Sequence, residues 1–390
     1  MNTNIPFFLY DIHTDDLPSI SQTILNYSTS DSNRQKKPID YVELLEQKTQ
    51  EITQVKHSVV VRSKISALLL ALQTIGIKRN HRVICSVYCH PFVPECIRYF
   101  EAEPIFVDIH PENLAMLPEK CEEILTKKAG KKDDRIKAII VSHIGGMLCD
   151  MEPFYKIKDE YNIGIIEDIS SSIWLKNTKG NFVGSDLRTD FTILSYLPSM
   201  KGKLFLAGAV LTNNAIFAEK CRTLRYHSYI GENANSGLFY DVIDMSLDHS
   251  VSIVSAHLAY LTCKQYAEQE LRRKEIAKMY QEGLSDLEGV MLPQEKETNI
   301  YSLFIVRFNK GRDRIASQLK EAGIETMLHF IPINFLSYYK NKFELKVTQF
   351  PNALDVYQEA LSLPIYLGMS DDDVTQVIQA IRNILKADKE

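Results

Sequence analysis

Between about residues 58 and 212, short apolar runs alternate with amphipathic stretches, and this alternation constrains the fold more than any other feature of the chain. A strand, an amphipathic helix and a second strand form the unit from which parallel sheets with crossover helices are built. The expected architecture is therefore α/β: a large domain over 1–250 with a mainly parallel, doubly wound sheet, and a smaller C-terminal α/β domain over 251–390. The strands read as HRVICSV, PIFVDI, IKAIIVSHI, IGIIEDI, FTILSY and AGAVLT, several apolar on both faces as buried parallel strands must be. A helix over 64–75 (KISALLLALQTI) is bounded by Ser63, an N-cap residue, and by Gly76, where a left-handed residue commonly ends a helix. Residues 253–284 read as one long connecting helix. Beyond Pro293 follow a strand (YSLFIVRF), a helix (RDRIASQLKEA), a second strand (ETMLHF) and a final helix after Ser370.

Composition narrows the class. With 45% hydrophobic and 24% charged residues in 390, the chain can bury a sizeable core. A net charge of -5 argues against a nucleic-acid-binding surface. No apolar run approaches the roughly 18 residues a membrane span needs, and MNTNIPFFLYDIHTDD lacks a basic region ahead of an apolar stretch. The expectation is a cytoplasmic protein. The seven cysteines, Cys85, Cys89, Cys96, Cys121, Cys149, Cys221 and Cys263, are scattered without paired spacing, which reads as reduced core thiols with no metal site. The charge run KKAGKKDDR at 127–135 reads as a solvated loop.

In an open parallel sheet, ligands bind at the carboxyl ends of the strands, where loops and helix N-termini converge. The polar residues placed there are Ser63 and Lys64, Tyr88 to His90, His143, Glu167 and Asp168, and Ser195 with the segment to Lys201. A carboxylate buried at a strand end calls for a cationic partner, which makes Asp168 the leading candidate. Its alternative role is to cap the Ser170-Ser171-Ser172 turn.

The stretch VSHIGGMLCDMEPFYKIKDEYNIGIIEDISSSI resembles the segment of the DegT/StrS nucleotide-sugar aminotransferase family that usually reads VHLYGQPADMD, a helix, then VIEDAAQA. IPFFLYDIH, PIFVDIHPENLAM, LRRKEIAKMYQEGL, LKEAGIETMLHFIPINFL and ALSLPIYLGMSDDDV resemble further family segments, in order and over nearly the whole chain. The resemblance implies a fold-type-I subunit that binds pyridoxal 5'-phosphate (PLP), acts on a nucleotide-linked sugar and forms a homodimer, with no membrane or nucleic-acid partner. It assigns Asp168 to the cofactor's pyridinium nitrogen, Ser195 to its phosphate and His90 to the position that stacks on its ring. Alternatively, His90 caps the turn before Pro91. His143, His227 and His329 fall on positions near the substrate.

Departures from the pattern cluster at the cofactor site. Where the family reads FSFHPTKNITTGEGGAVVT, this chain reads LSYLPSMKGKLFLAGAVLT, which puts Met200 in the Schiff-base lysine slot and Lys201 one residue beyond, with Lys203 farther on. A thioether cannot form an imine or move a proton. The family's phosphate cup SGTAAL is here Ser63-Lys64-Ile65-Ser66-Ala67-Leu68, so Lys64 and Ile65 stand where glycine and threonine meet the phosphate. Ser171 replaces the glutamine of EDAAQA, and DMSLDHSVS offers no counterpart to the family's phosphate-reaching asparagine. Three functions stay open: glutamate-dependent amino transfer to a nucleotide-linked keto sugar with Lys201 as a displaced amine; a non-catalytic homologue serving as partner, regulator or sugar-nucleotide binder; and a deoxysugar dehydratase relative using His143 or His227 as base.

Overall fold

The computed structural model describes residues 4–9, 14–28, 39–126, 135–196, 206–231 and 240–387. After α1 (Leu17–Ser28), the Asp40 carboxylate caps α2 (Tyr41–Thr53) by accepting from the Val42 and Glu43 N–H groups. There follow β1 (His57–Val61), α3 (Lys64–Ile75), β2 (Arg82–Ser86), α4 (Phe92–Tyr99), β3 (Glu103–Val107) and α5 (Pro118–Thr126). Next come β4 (Ile136–Ser142), α6 (Glu152–Tyr161), β5 (Gly164–Asp168), β6 (Phe191–Ser195), β7 (Gly208–Thr212) and α7 (Ala215–Arg225). A short antiparallel pair, β8 (Tyr229–Ile230) and β9 (Asp241–Val242), precedes α8 (Ile253–Lys264) and α9 (Tyr266–Leu284). The chain continues through β10 (Val290–Met291), β11 (Phe304–Phe308), α10 (Arg312–Glu321), α11 (Ser337–Lys342), α12 (Pro351–Glu359), β12 (Ala360–Leu363) and α13 (Asp371–Ala387).

The large sheet has seven strands in the order β1-β7-β6-β5-β4-β2-β3. Strands β2 to β6 pair in parallel, whereas β7 runs antiparallel to both β1 and β6. Side chains alternate across each strand, so the sheet has two distinct faces. Ile140, Ile166 and Ile193 join the core covered by α3 and α4, while Ile139, Val141 and Ile165 join the core covered by α5 and α6. A second sheet, β10-β11-β12, packs with α9, α10 and α13 around Phe304, Val306, Leu363 and Val377.

The six expected strands of the large sheet are all present, and α3 spans the expected residues. Ser63 Oγ accepts from the Ser66 N–H, and Gly76 closes the helix at φ 89°, a value its lack of a Cβ permits. Two expectations are corrected. The helix over 253–284 breaks at Gln265 into α8 and α9. ETMLHF is not a strand: Met327 makes a single bridge to Ser362, and the place beside β11 is taken by β12. Ala256, Ala259 and Cys263 of α8 pack in one core with Val60, Leu194, Ala209 and Leu211. Ile5, by contrast, bridges Ile324 and belongs to the small lobe's core. All seven cysteines are buried and unpaired by disulfides.

Candidate active site

Asp168 ends β5 and lies 5% exposed on the face covered by α3 and α4. Its Oδ2 accepts from the Ser142 hydroxyl at 3.2 Å, and its Oδ1 accepts from the Ser170 N–H at 2.9 Å. The turn-capping role is thus realised. The expected cation is not: among the described residues no Lys, Arg or His pairs with this carboxylate, and two donors leave acceptor capacity unused. Cys89 and Cys96 lie near it, their thiols pushed well up by burial, with the Asp168 charge adding to the effect.

Ser195 ends β6 directly opposite Gly208 of β7 and is also buried. Gly208 marks a close approach. A Cβ there would lie 2.7 Å from the Ser63 carbonyl carbon, 2.8 Å from the Lys64 nitrogen and 2.9 Å from the Leu194 oxygen. Only glycine lets the N-terminus of α3 rest on the ends of β6 and β7. Gly208 was not among the sequence candidates, although its place in AGAVLT was the available signal.

Lys64 begins α3 and is 9% exposed, with its ammonium 4.8 Å from the centre of the Phe92 ring. Ile65, the next residue, is 45% exposed. His90 Nδ1 accepts from the Phe92 N–H at 3.2 Å, so the turn-capping alternative is realised, and its ring meets Phe330 edge-on at 5.7 Å. The small lobe supplies His329. Its carbonyl accepts from the Tyr88 hydroxyl at 2.6 Å, its Nδ1 lies 2.9 Å from Ser362 Oγ, and its ring stacks on Phe7. Burial, reinforced by the Lys64 charge, lowers the His329 pKa to about 4. Asp168, Ser195, Lys64, His90 and His329 therefore gather at one end of the large sheet. Tyr88, Ser142 and Phe330 complete this wall.

Three further candidates have partners of their own. His143 lies on the opposite face, 1% exposed, with Nδ1 accepting from the Cys149 N–H at 3.1 Å and Nε2 bonded to Glu167 at 3.0 Å. Both ring nitrogens are engaged in this buried network. His227 sits between α7 and β8 among the rings of Tyr226 and Tyr229. Ser171 directs its hydroxyl to the His143 carbonyl at 3.3 Å. Met200, Lys201 and Lys203 lie outside the described residues, as do residues 127–134 of the basic run.

A two-lobed subunit with this sheet has the fold of the PLP-dependent aminotransferases of fold type I. The model of the DegT/DnrJ/EryC1/StrS aminotransferase family matches residues 22–382, and the chain belongs to that family. It is 30% identical over 344 residues to the spore coat polysaccharide biosynthesis protein SpsC of Bacillus subtilis, covering 85% of this chain and 86% of that protein. Among solved structures, DesV of S. venezuelae is 23% identical with a TM-score of 0.85, covering 98% of this chain and 99% of its own. Spr1654 of Streptococcus pneumoniae in its PLP form is 21% identical with a TM-score of 0.84, covering 99% of both chains.

The residues present fit PLP. A buried carboxylate with spare acceptor capacity suits a protonated ring nitrogen, and the glycine-dependent end of α3 beside Ser195 suits a phosphate.

Proposed function

We propose that the chain transfers an amino group from glutamate to a keto sugar carried on a nucleotide, in the biosynthesis of an amino-sugar-containing surface polysaccharide. The observation that carries this assignment is Asp168: a buried carboxylate at a strand end, held by two donors and still able to accept another. Asp168 would hold the ring nitrogen of PLP, while Ser195, the α3 N-terminus and the Lys64 ammonium would hold its phosphate. When bound, the cofactor supplies an electron sink for the substrate carbanion. Lys201 Nζ would supply the primary amine and move the proton to and from the reacting carbon. His329, neutral at pH 7, adds no second positive charge beside Lys64 and leaves Nε2 to orient a sugar hydroxyl. The name of SpsC supports the polysaccharide context. The proposed location is the cytoplasm; no helix among the described residues is long and apolar enough to cross a membrane. The proposed assembly is a homodimer, supported by the exposed apolar side chains Tyr240, Val242, Ile243 and Met245.

One observation favours a second function, that of a non-catalytic sugar-nucleotide-binding homologue. Ile65, at the open end of α3, presents hydrocarbon where the family offers a threonine hydroxyl. Purified protein mixed with PLP separates the two. Amino transfer predicts a visible absorbance band that glutamate bleaches and that the keto sugar nucleotide restores. A chain that binds the sugar nucleotide but develops no band is the non-catalytic homologue.

A further inference from the structure

On the reverse face of the large sheet, directly behind Asp168, lies a buried polar network that the proposed chemistry does not use. Its centre is His143. Because Nδ1 accepts from the Cys149 N–H, the ring proton resides on Nε2 and is donated to Glu167 Oε2. Glu167 Oε1 accepts from the Thr189 hydroxyl and, at 3.4 Å, from Tyr155, whose hydroxyl also lies 2.9 Å from Thr189 Oγ1. Main-chain bonds carry the same histidine to the front of the sheet. Its N–H donates to the Asp168 carbonyl at 3.0 Å, and its carbonyl accepts from the Ser171 and Ser172 hydroxyls.

We propose that His143 is a positioning residue that aims the Asp168 carboxylate from behind the sheet. Glu167 and Asp168 are adjacent and point to opposite faces, so rotation of the strand end swings both together. Anchoring Glu167 to His143, Thr189 and Tyr155 blocks that rotation. The bonds from His143 to the Asp168 carbonyl and to the two serines fix the turn whose Ser170 N–H orients Asp168 Oδ1. Such groups keep a binding carboxylate within a few tenths of an ångström of its working geometry.

The inference rests on Asp168 holding the cofactor ring, so its test uses pyridoxine 5'-phosphate, which has no aldehyde and binds without Lys201. Affinity is measured for the full-length wild type, His143→Phe, Asp168→Asn and the double variant. Positioning through Asp168 predicts at least tenfold weaker binding for His143→Phe, less than a twofold further effect in the Asp168→Asn background, and partial rescue by His143→Gln. Equal losses in both backgrounds, as general loosening would give, overturn it. Should His143→Phe fail to fold, His143→Leu takes its place in the cycle under the same criterion. Should the wild type not bind the probe, the amino-transfer assignment fails by itself, and amide exchange over 168–172 decides the clamp. Faster exchange in His143→Leu supports it; unchanged protection overturns it.

Discussion

At the carboxyl end of β5, Glu167 faces α6 and is surrounded by the donors of His143, Thr189 and Tyr155, whereas Asp168 faces α3 and α4 and receives one hydroxyl and one backbone N–H. Both carboxylates are buried to a similar degree. Burial alone therefore does not distinguish a structural acid from a functional one; the number of lone pairs already used does. A carboxylate held by three side chains fixes its strand in place, and one held by a single hydroxyl and a backbone N–H retains more capacity to bind.

Substitutions on each face sharpen this contrast. The largest effect is expected from Asp168→Asn, which removes the charge proposed to hold the cofactor's ring nitrogen. The glutamate-driven step should slow by about a hundred- to a thousandfold, while the urea midpoint changes little. Stopped-flow absorbance and equilibrium unfolding, run on the same preparation, check the pair. Glu167→Ala should behave in the opposite sense, because it strands the buried His143 and Thr189 donors. A loss of about 3 kcal/mol in unfolding free energy is expected by urea titration.

His329 gives a smaller, pH-dependent effect. Its folded pKa of about 4 lies below the ordinary 6.5, so the unfolded chain binds more protons between those values. The stability that depends on neutral His329 is present above pH 6.5 and is lost as pH falls towards 4. Urea midpoints measured over that window should fall more steeply for the wild type than for His329→Gln, by on the order of 2 kcal/mol in total. The smallest change is expected from Tyr155→Phe, which deletes one hydroxyl from the Glu167 network. It should cost about 1 kcal/mol in stability and leave the glutamate-driven step within about twofold.

Local chemistry made part of this molecule legible in its sequence. The bounds of α3 follow from a serine cap and a glycine stop, and the buried strands follow from apolar runs too short to be helices. Longer-range competition hid the rest. ETMLHF has the residues of a strand, but β12 pairs with β11 and leaves Met327 only one bridge. That strand escaped notice because α12 runs directly into it, with Ala360 serving as both helix cap and first strand residue. Asp168 and Ser195 were legible as strand-end residues. His143 was placed at the substrate because its position in sequence carries no sign of which face it serves. Strand parity held the missing signal: in IGIIEDI the adjacent acids must point opposite ways, so only one of them can face the site.

Lys201 is the proposed source of the amine that Met200 cannot supply. Borohydride reduction of the protein with PLP, followed by peptide mapping, tests it most directly. The account predicts a pyridoxyl label on Lys201; label on another lysine, or on none, contradicts it.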